Sequence, residues 1–224
     1  MITNELNSSF STHEINSEPE ILERIDLCDP NGNLNKDAIG FSRQPLHSCN
    51  LSKHWPRKKK WNYWCVTSTD YLFSVTLSNI DYLGLAFVYF LDFKSKEFIE
   101  KTIMHPLGLG CNLPKEVNQD VAFTDPGMSM SFSQVNNGVR LKVTASEFGQ
   151  DNLAAEFQIE HPTGHETLNV VIPWNIRQFQ FTSKQNCLPA AGKITLGNRI
   201  ITFEKGSSFA CLDYGRGIWP FECF

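Results

Sequence analysis

The sequence predicts an all-β protein built from antiparallel strands that form a barrel or a sandwich. Apolar and polar residues alternate along most of the chain, and turn residues separate the alternating runs at intervals of roughly eight to twelve residues. No segment keeps a helical period for three turns. Phenylalanine occurs 17 times in 224 residues, and aromatic residues favour strands.

The first part of the chain offers few strand signals. Residues 1–20 are polar and rich in Ser, Asn and Glu, which predicts a disordered lead-in before a β-barrel domain over residues 21–224. Residues 21–27 suit a short strand or a turn, and residues 29–33 (DPNGN) predict a turn because Asn and Gly accept left-handed conformations.

The most unusual stretch is Phe41–Cys65, which carries three of the five tryptophans and the basic run Arg57–Lys60. One interpretation is a surface crossover that its tryptophans pin to a barrel, with the basic run in water. The other is a lid or rim over a pocket, where cations stack on the indoles.

The middle of the chain is dominated by strands. Residues 71–78 alternate and leave one wetter face, whereas 82–93 is continuously apolar, which predicts burial on both faces. Residues 97–103 alternate again, and the glycines and prolines of 106–114 predict a loop.

The clearest hairpin pairs residues 128–133 with 139–145 around Asn137-Gly138, because Asn-Gly between alternating strands is a strong hairpin signal. Further strands are predicted at 153–159, at 168–172 (ended by Pro173-Trp174) and at 178–182. A second hairpin is expected over 193–204 around Gly197-Asn198, and 208–213 leads into 214–220 (YGRGIWP).

Composition excludes several classes of function. The net charge is −4, and because Arg57–Lys60 contributes +4, the remaining chain sums to −8. An acidic body argues against nucleic-acid binding, which needs a clustered basic face. No apolar run is long enough for a transmembrane helix, and the polar N-terminus is not a signal peptide, so we expect a cytoplasmic protein.

Seven cysteines make an odd number, and none forms a Cys-x-x-Cys pair. A disulfide framework or a zinc knuckle is therefore poorly supported, and reduced, mostly buried thiols fit better. His47, Cys49 and His54 lie close in sequence, but without a second tight pair we predict no metal site.

Four long motifs resemble one family: PLHSCNLSKHWPRKKKWNYWCV, DYLGLAFVYFLDF, VVIPWNIRQFQFTSKQNCLPAAGK and LDYGRGIWP. From about Cys28 to its end the chain resembles the domain-of-unknown-function family 2804, which has no agreed activity. The resemblance extends distantly to lipocalin-like two-barrel proteins such as carotenoid hydratase and tocopherol cyclase. It implies a lipocalin-like barrel followed by an incomplete second barrel, since family members continue beyond the final motif. Open strand edges would then favour self-association.

Each of the charged and polar candidate residues allows two roles. Asp213 and Arg216 suit an ion pair that closes a barrel mouth, or Arg216 holds a carboxylate or phosphate of a ligand. Ser183 and Lys184 are adjacent on a strand and therefore face opposite sides, so lining a cavity fits them better than acting as a catalytic dyad.

The sequence therefore predicts binding of a hydrophobic or amphiphilic small molecule in a barrel mouth or interior, with no cofactor. One alternative is a cofactor-free hydratase, isomerase or cyclase whose acid is Asp81, Asp92 or Glu147 in an apolar cavity. The other is a scaffold without a ligand. The candidate ligand-binding residues are Arg43, His47, Trp55, Trp61, Trp64, Trp174, Lys184, Gln185, Asp213, Arg216 and Trp219.

Overall fold

The structure, a computed structural model, describes residues 18–222. It contains a single turn of 3₁₀ helix at Lys36–Ala38 and otherwise consists of strands and loops. The strands are β1 (Ile25–Asp26), β2 (Phe41–Ser42), β3 (His47–Ser48), β4 (Lys58–Thr67), β5 (Tyr71–Asn79), β6 (Leu83–Asp92), β7 (Phe98–Pro106), β8 (Val121–Asp125), β9 (Met128–Val135), β10 (Gly138–Phe148), β11 (Asp151–Glu160), β12 (Leu168–Asn175), β13 (Gln178–Leu196), β14 (Arg199–Phe203) and β15 (Phe209–Ile218).

The long strand β13 organises the architecture because its two halves belong to two different layers. Residues 178–189 of β13 lie between β12 and β15, in a front sheet of order β7-β6-β5-β4-β15-β13-β12-β2. Residues 190–196 lie mostly between β11 and β14, in a back sheet of order β8-β9-β10-β11-β13-β14. An irregularity between Gln185 and Leu188, with Cys187 at a φ of 56°, divides the halves.

The inner faces of the two sheets pack against each other. Phe73 of β5 stacks on Phe157 of β11 with ring centroids 5.2 Å apart, and Phe203 of β14 meets Phe157 edge-on at 5.0 Å. All ladders except the short β1–β3 pair are antiparallel. The predicted fold class is confirmed: the sheet curls into a half-barrel of lipocalin-like type around one hydrophobic core.

Two elements differ from the sequence prediction. Strand β12 continues through Pro173 to Asn175, and proline is tolerated there because β2 covers the open side of β12 only at residues 169 and 170. The β9–β10 turn is Asn136-Asn137, one residue earlier than expected. Gly138 already belongs to β10, where a Cβ would lie 2.0 Å from the Ile159 carbonyl oxygen.

Strand β6 differs in part from the prediction that both of its faces are buried, and the difference affects the site. Its residues alternate between buried and half-buried, so only one face of this continuously apolar segment lies in the core. The other face remains apolar and partly exposed.

The described N-terminal residues are tied to the front sheet. The Pro19 carbonyl accepts a hydrogen bond from the Phe41 N–H, and Glu20 pairs with Phe41. Most of the predicted lead-in, residues 1–17, lies outside the described residues. Within residues 18–222, no helix is both long and apolar enough to cross a bilayer.

His105 of β7 and Asp125 of β8 connect the facing edges of the two sheets. The His105 Nε2 lies 3.0 Å from Asp125 Oδ2, and Nδ1 lies 2.9 Å from the Leu109 carbonyl oxygen. The Asp125 carboxylate and then the Leu109 carbonyl raise the pKa of His105 above 6.5. The Gly127 N–H and then His105 lower the pKa of Asp125 below 3.8.

This pair predicts a pH-dependent stability. A raised histidine pKa stabilises the fold fully below 6.5, and the effect is lost as pH rises through the folded-state pKa. The lowered pKa of Asp125 stabilises the fold above pH 3.8, and this contribution is lost as pH falls through the folded-state pKa of Asp125. The wild-type urea midpoint should therefore exceed that of His105→Gln most clearly below pH 6.5, and the difference should shrink as pH rises through the folded-state pKa of His105. A difference that stays constant with pH would contradict this role.

Candidate functional site

The Gly215-Arg216-Gly217 stretch lies inside the central strand β15, between β4 and β13. Successive side chains on a strand point to opposite faces. Arg216 therefore enters the core, and the two glycines lie on the opposite side, which we call the outer face of the front sheet. The glycines allow neighbouring side chains to lie close to the backbone of β15, and they do not form a turn.

Arg216 is fully buried and is held by neutral groups. Its guanidinium donates to the carbonyl oxygens of Trp61 at 2.7 Å and Pro114 at 3.2 Å, and to Asn62 Oδ1 at 2.8 Å. The guanidinium carbon lies 3.7 Å from the centroid of the Tyr214 ring. Burial lowers the pKa of Arg216. The donors of Arg216 are therefore used by groups inside the protein.

The proposed ion pair between Asp213 and Arg216 does not form, since residues three apart on a strand lie on opposite faces. Asp213 instead binds Lys184 of β13 on the outer face, with Nζ and Oδ2 2.6 Å apart. Both side chains are about one third exposed.

Three tryptophans form a cluster on the outer face: Trp61 of β4, Trp174 of β12 and Trp219, which follows β15. Trp219 meets each of the other two edge-on, with ring centroids 5.9 Å apart in both pairs. The Trp219 Nε1–H donates to Gln180 Oε1 at 2.6 Å. Trp61 lies directly over Gly215, where a Cβ would be 2.0 Å from Trp61 Cζ2. This tryptophan cluster therefore depends on glycine beneath it.

A row of hydroxyl side chains, Ser74, Thr76 and Ser78 of β5, lies beside the tryptophan cluster. Tyr63 of β4 and Tyr89 of β6 flank the row, and their hydroxyl oxygens are 2.8 Å apart. The Ser74 and Thr76 hydroxyls are buried and have no hydrogen-bond partner within residues 18–222. The polar atoms that the outer face offers beside the tryptophan cluster are therefore the half-buried Tyr63 and Tyr89 hydroxyls.

Apolar side chains extend the outer face beyond the hydroxyl row. Leu85, Phe87 and Leu91 of β6 are half-buried, and Phe98 and Met104 of β7 are 54% and 63% exposed. None of these five belongs to the hydrophobic core of the described residues. On β7 these two side chains are separated by the outward-facing Glu100 and Thr102, so the apolar surface is continuous only along the outer side of β6.

A lysine lies at the tryptophan end of the outer face. Lys59 is opposite Gly217, and its Nζ is 4.6 Å from the centroid of the Tyr82 ring and 3.3 Å from the Tyr82 hydroxyl. Lys59 has no carboxylate partner within the described part of the chain. The outer face thus combines an apolar aromatic surface with a cation at one end.

Five of the eleven candidate residues from the sequence meet on this face: Trp61, Trp174, Lys184, Asp213 and Trp219. The remaining six, which include Arg216, lie elsewhere.

The candidate residues that are not on the outer face lie in several different places. Arg43 is exposed and ion-paired with two glutamates, and Trp55 is 64% exposed. His47 is buried against Phe181, and burial lowers its pKa. Trp64 and Gln185 are buried on the inner face.

The candidate acids do not lie in apolar cavities. Asp81 binds Lys58, with Oδ1 3.1 Å from Nζ. Asp92 accepts backbone N–H groups of the following turn, which lowers its pKa, and Glu147 is exposed. None of these three carboxylates therefore has the apolar surroundings that hydratase-like chemistry would need.

A separate cavity of about 340 Å³ opens at one end of the core, lined by Lys60, Asn79, Asn112 and Asp120 among others. We call it the mouth cavity. Burial and the charge of Arg216 lower the pKa of Lys60. Its polar lining suits an apolar ligand less well than the outer face.

Sequence reasoning missed Tyr63, Tyr89 and the hydroxyl row. The available signal was a combination: β5 carries a hydroxyl at every second position, and the neighbouring β6 is apolar on both faces. The hydroxyl side chains of β5 lie next to an apolar face of β6 that the core does not need. This combination is unusual both for a core and for a sheet face in contact with water.

Residues 18–224 match the model of a family described as domain of unknown function (DUF2804). Among curated proteins, none matches the sequence. A crystal structure of a protein provisionally named AttH, from Nitrosomonas europaea, is similar with 11% identity and a TM-score of 0.47. The similarity covers 77% of this chain and 58% of that one.

Proposed function

The chain belongs to the family described as domain of unknown function DUF2804, and from that premise we propose that it binds a hydrophobic or amphiphilic small molecule on the outer face of its front sheet. The carrying observation is the tryptophan cluster, Trp61, Trp174 and Trp219, which lies outside the core beside the half-buried hydroxyls of Tyr63 and Tyr89. Aromatic side chains with a few placed polar groups are typical of small-molecule sites.

The two ends of the face fit the two ends of an amphiphile. An apolar body packs over the tryptophan cluster and the outer side chains of β6. Lys59, which has no carboxylate partner within residues 18–222, attracts an anionic head group. The half-buried Tyr63 and Tyr89 hydroxyls can hydrogen-bond a polar group farther along the ligand.

The apolar surface is large enough for measurable binding. Burying about 200 Å² of it would contribute roughly 5 kcal/mol at about 25 cal/mol per Å². Polar contacts add to this term, and lost translational and side-chain freedom opposes it. We therefore expect a dissociation constant on the order of 0.1–1 mM for a long-chain carboxylate.

Equilibrium titration with a fluorescent long-chain fatty acid tests the proposal. Saturable binding is expected, and Trp219→Ala should weaken it at least about tenfold, equivalent to about 1.4 kcal/mol, because it removes the ring that contacts both other tryptophans. Ile200→Ala, which removes an exposed apolar side chain from the back sheet, is the matched control and should leave binding unchanged.

Two results would contradict the proposal. One is the absence of saturable binding. The other is binding that Trp219→Ala leaves intact and Lys60→Gln abolishes, which would place the ligand in the mouth cavity.

A further inference from the structure

Two cysteines face each other across adjacent central strands of the front sheet. Cys65 of β4 is directly opposite Cys211 of β15 in the antiparallel ladder. Directly opposite residues project to the same side, with Cα atoms about 4.5–5.5 Å apart. A disulfide requires about 4.4–6.8 Å, so the backbone already lies within reach of a cross-strand bond.

The two thiols differ in environment, which gives them different chemical roles. Cys211 is partly exposed, whereas Cys65 is buried. The neighbouring Cys65 thiol is the main effect that lowers the pKa of Cys211, and the Lys184 charge also favours the thiolate. Burial and the charge of Asp213 act in the opposite direction. Cys211 is therefore suited to be the attacking thiolate.

Cys65 is the neighbouring thiol that remains protonated. Its hydrogen bond to Cys211 and its burial raise the pKa of Cys65, while the Tyr63 hydroxyl opposes that rise. Ser74 is opposite Cys65 on the other neighbouring strand. The titratable groups around the pair are thus Tyr63, Lys184 and Asp213.

The other described cysteines lack this arrangement. Cys28, Cys49 and Cys111 are buried, and burial raises the pKa of each. Cys187 is exposed and lies at the bend of β13. Cys223 lies outside the described residues.

We propose that Cys65 and Cys211 are a redox-active pair that a peroxide converts into a cross-strand disulfide. The Cys211 thiolate attacks the peroxide O–O bond, forms a sulfenic acid and releases an alkoxide or hydroxide, which takes up a proton. The Cys65 sulfur then attacks the sulfenic sulfur, which forms the S–S bond and releases water. In total, two thiols and one peroxide give one disulfide, one alcohol or water, and one further water; the peroxide is reduced by two electrons.

The ladder geometry also predicts that the disulfide is easily reversed. Directly opposite Cβ atoms are about 4.5–5.5 Å apart, whereas a disulfide prefers about 3.5–4.5 Å. Closing the bond must draw β4 and β15 together at the centre of the sheet. The resulting strain favours reduction by a small thiol.

Peptide mapping of the full chain after peroxide treatment tests the proposal. The reduced protein is exposed to a small excess of hydrogen peroxide, blocked with an alkylating agent and digested without reduction. A Cys65–Cys211 cross-linked peptide is expected, with loss of two alkylatable thiols, and a small dithiol should restore both. Alkylation of Cys211 in the untreated protein should be faster than alkylation of Cys65, because Cys211 is the more exposed thiol.

Variants separate the two roles. Cys65→Ser should abolish the cross-link and leave a sulfenic acid on Cys211 that dimedone traps, whereas Cys211→Ser should protect Cys65 from peroxide. Cys187→Ser is the control and should leave the cross-link unchanged. The proposal is overturned if peroxide modifies Cys187 while Cys65 and Cys211 remain free thiols, or if the cross-link contains Cys187.

Discussion

Arg216→Ala is expected to lower the free energy of unfolding by on the order of 4 kcal/mol, a large effect for one substitution. The change removes the donors that satisfy Asn62 Oδ1 and the Pro114 carbonyl oxygen, and a buried acceptor that loses its partner costs about 1–3 kcal/mol. It also leaves a cavity against Tyr214. Urea unfolding, with the midpoint and slope fitted together, measures the loss.

Two matched substitutions show whether burial causes the effect. Arg216→Lys keeps the charge but loses the planar fork, so an intermediate loss is expected. Arg199→Ala breaks an exposed ion pair with Glu97 and should cost less than about 1 kcal/mol. If Arg216→Ala costs no more than Arg199→Ala, the neutral hydrogen-bond network around Arg216 does not stabilise the fold as described.

Gly215→Ala is expected to displace Trp61 and to destabilise the protein by about 2 kcal/mol. The new Cβ would lie 2.0 Å from Trp61 Cζ2 and 2.1 Å from Cε2, so the indole cannot keep its position. The near-ultraviolet circular dichroism of the tryptophans should change, and binding of the fluorescent fatty acid should weaken with it.

A double-mutant cycle isolates the contact between the two residues. In a Trp61→Ala background, Gly215→Ala should cost little, because the clashing ring is gone. Gly127→Ala is the matched control, since its Cβ would meet side-chain tips at 3.3–3.4 Å and has room to be accommodated. Equal costs of Gly215→Ala with and without Trp61 would show that the glycine serves another purpose.

Local patterns in the sequence predict most of the strands because alternation and turn residues are properties of neighbouring positions. The hairpin around Gly197-Asn198 and the strand over 71–78 follow from them. The hairpin turn at Asn136-Asn137 was misplaced by one residue because Gly138 is needed for close approach to the Ile159 carbonyl of β11, a contact between strands.

The site could be predicted only in part, because contacts between strands are not encoded in local sequence patterns. Tryptophans 61, 174 and 219 were recognisable as candidates, but their meeting depends on β13, which places β12 and β15 on either side of one strand. The opposite directions of Asp213 and Arg216 follow from strand alternation, once β15 is known to be a strand rather than a turn. The pairing of Cys65 with Cys211 needs the register of β4 on β15, which no local pattern encodes.

Quenching of tryptophan fluorescence by a brominated fatty acid tests most directly whether a ligand lies on the outer face, because bromine quenches an indole only at close contact. We expect saturable quenching in the native protein. Replacing Trp61, Trp174 and Trp219 together by phenylalanine should remove it, since the remaining tryptophans, Trp55 and the core residue Trp64, lie off the cluster. Saturable quenching that persists undiminished in the triple variant would contradict the account.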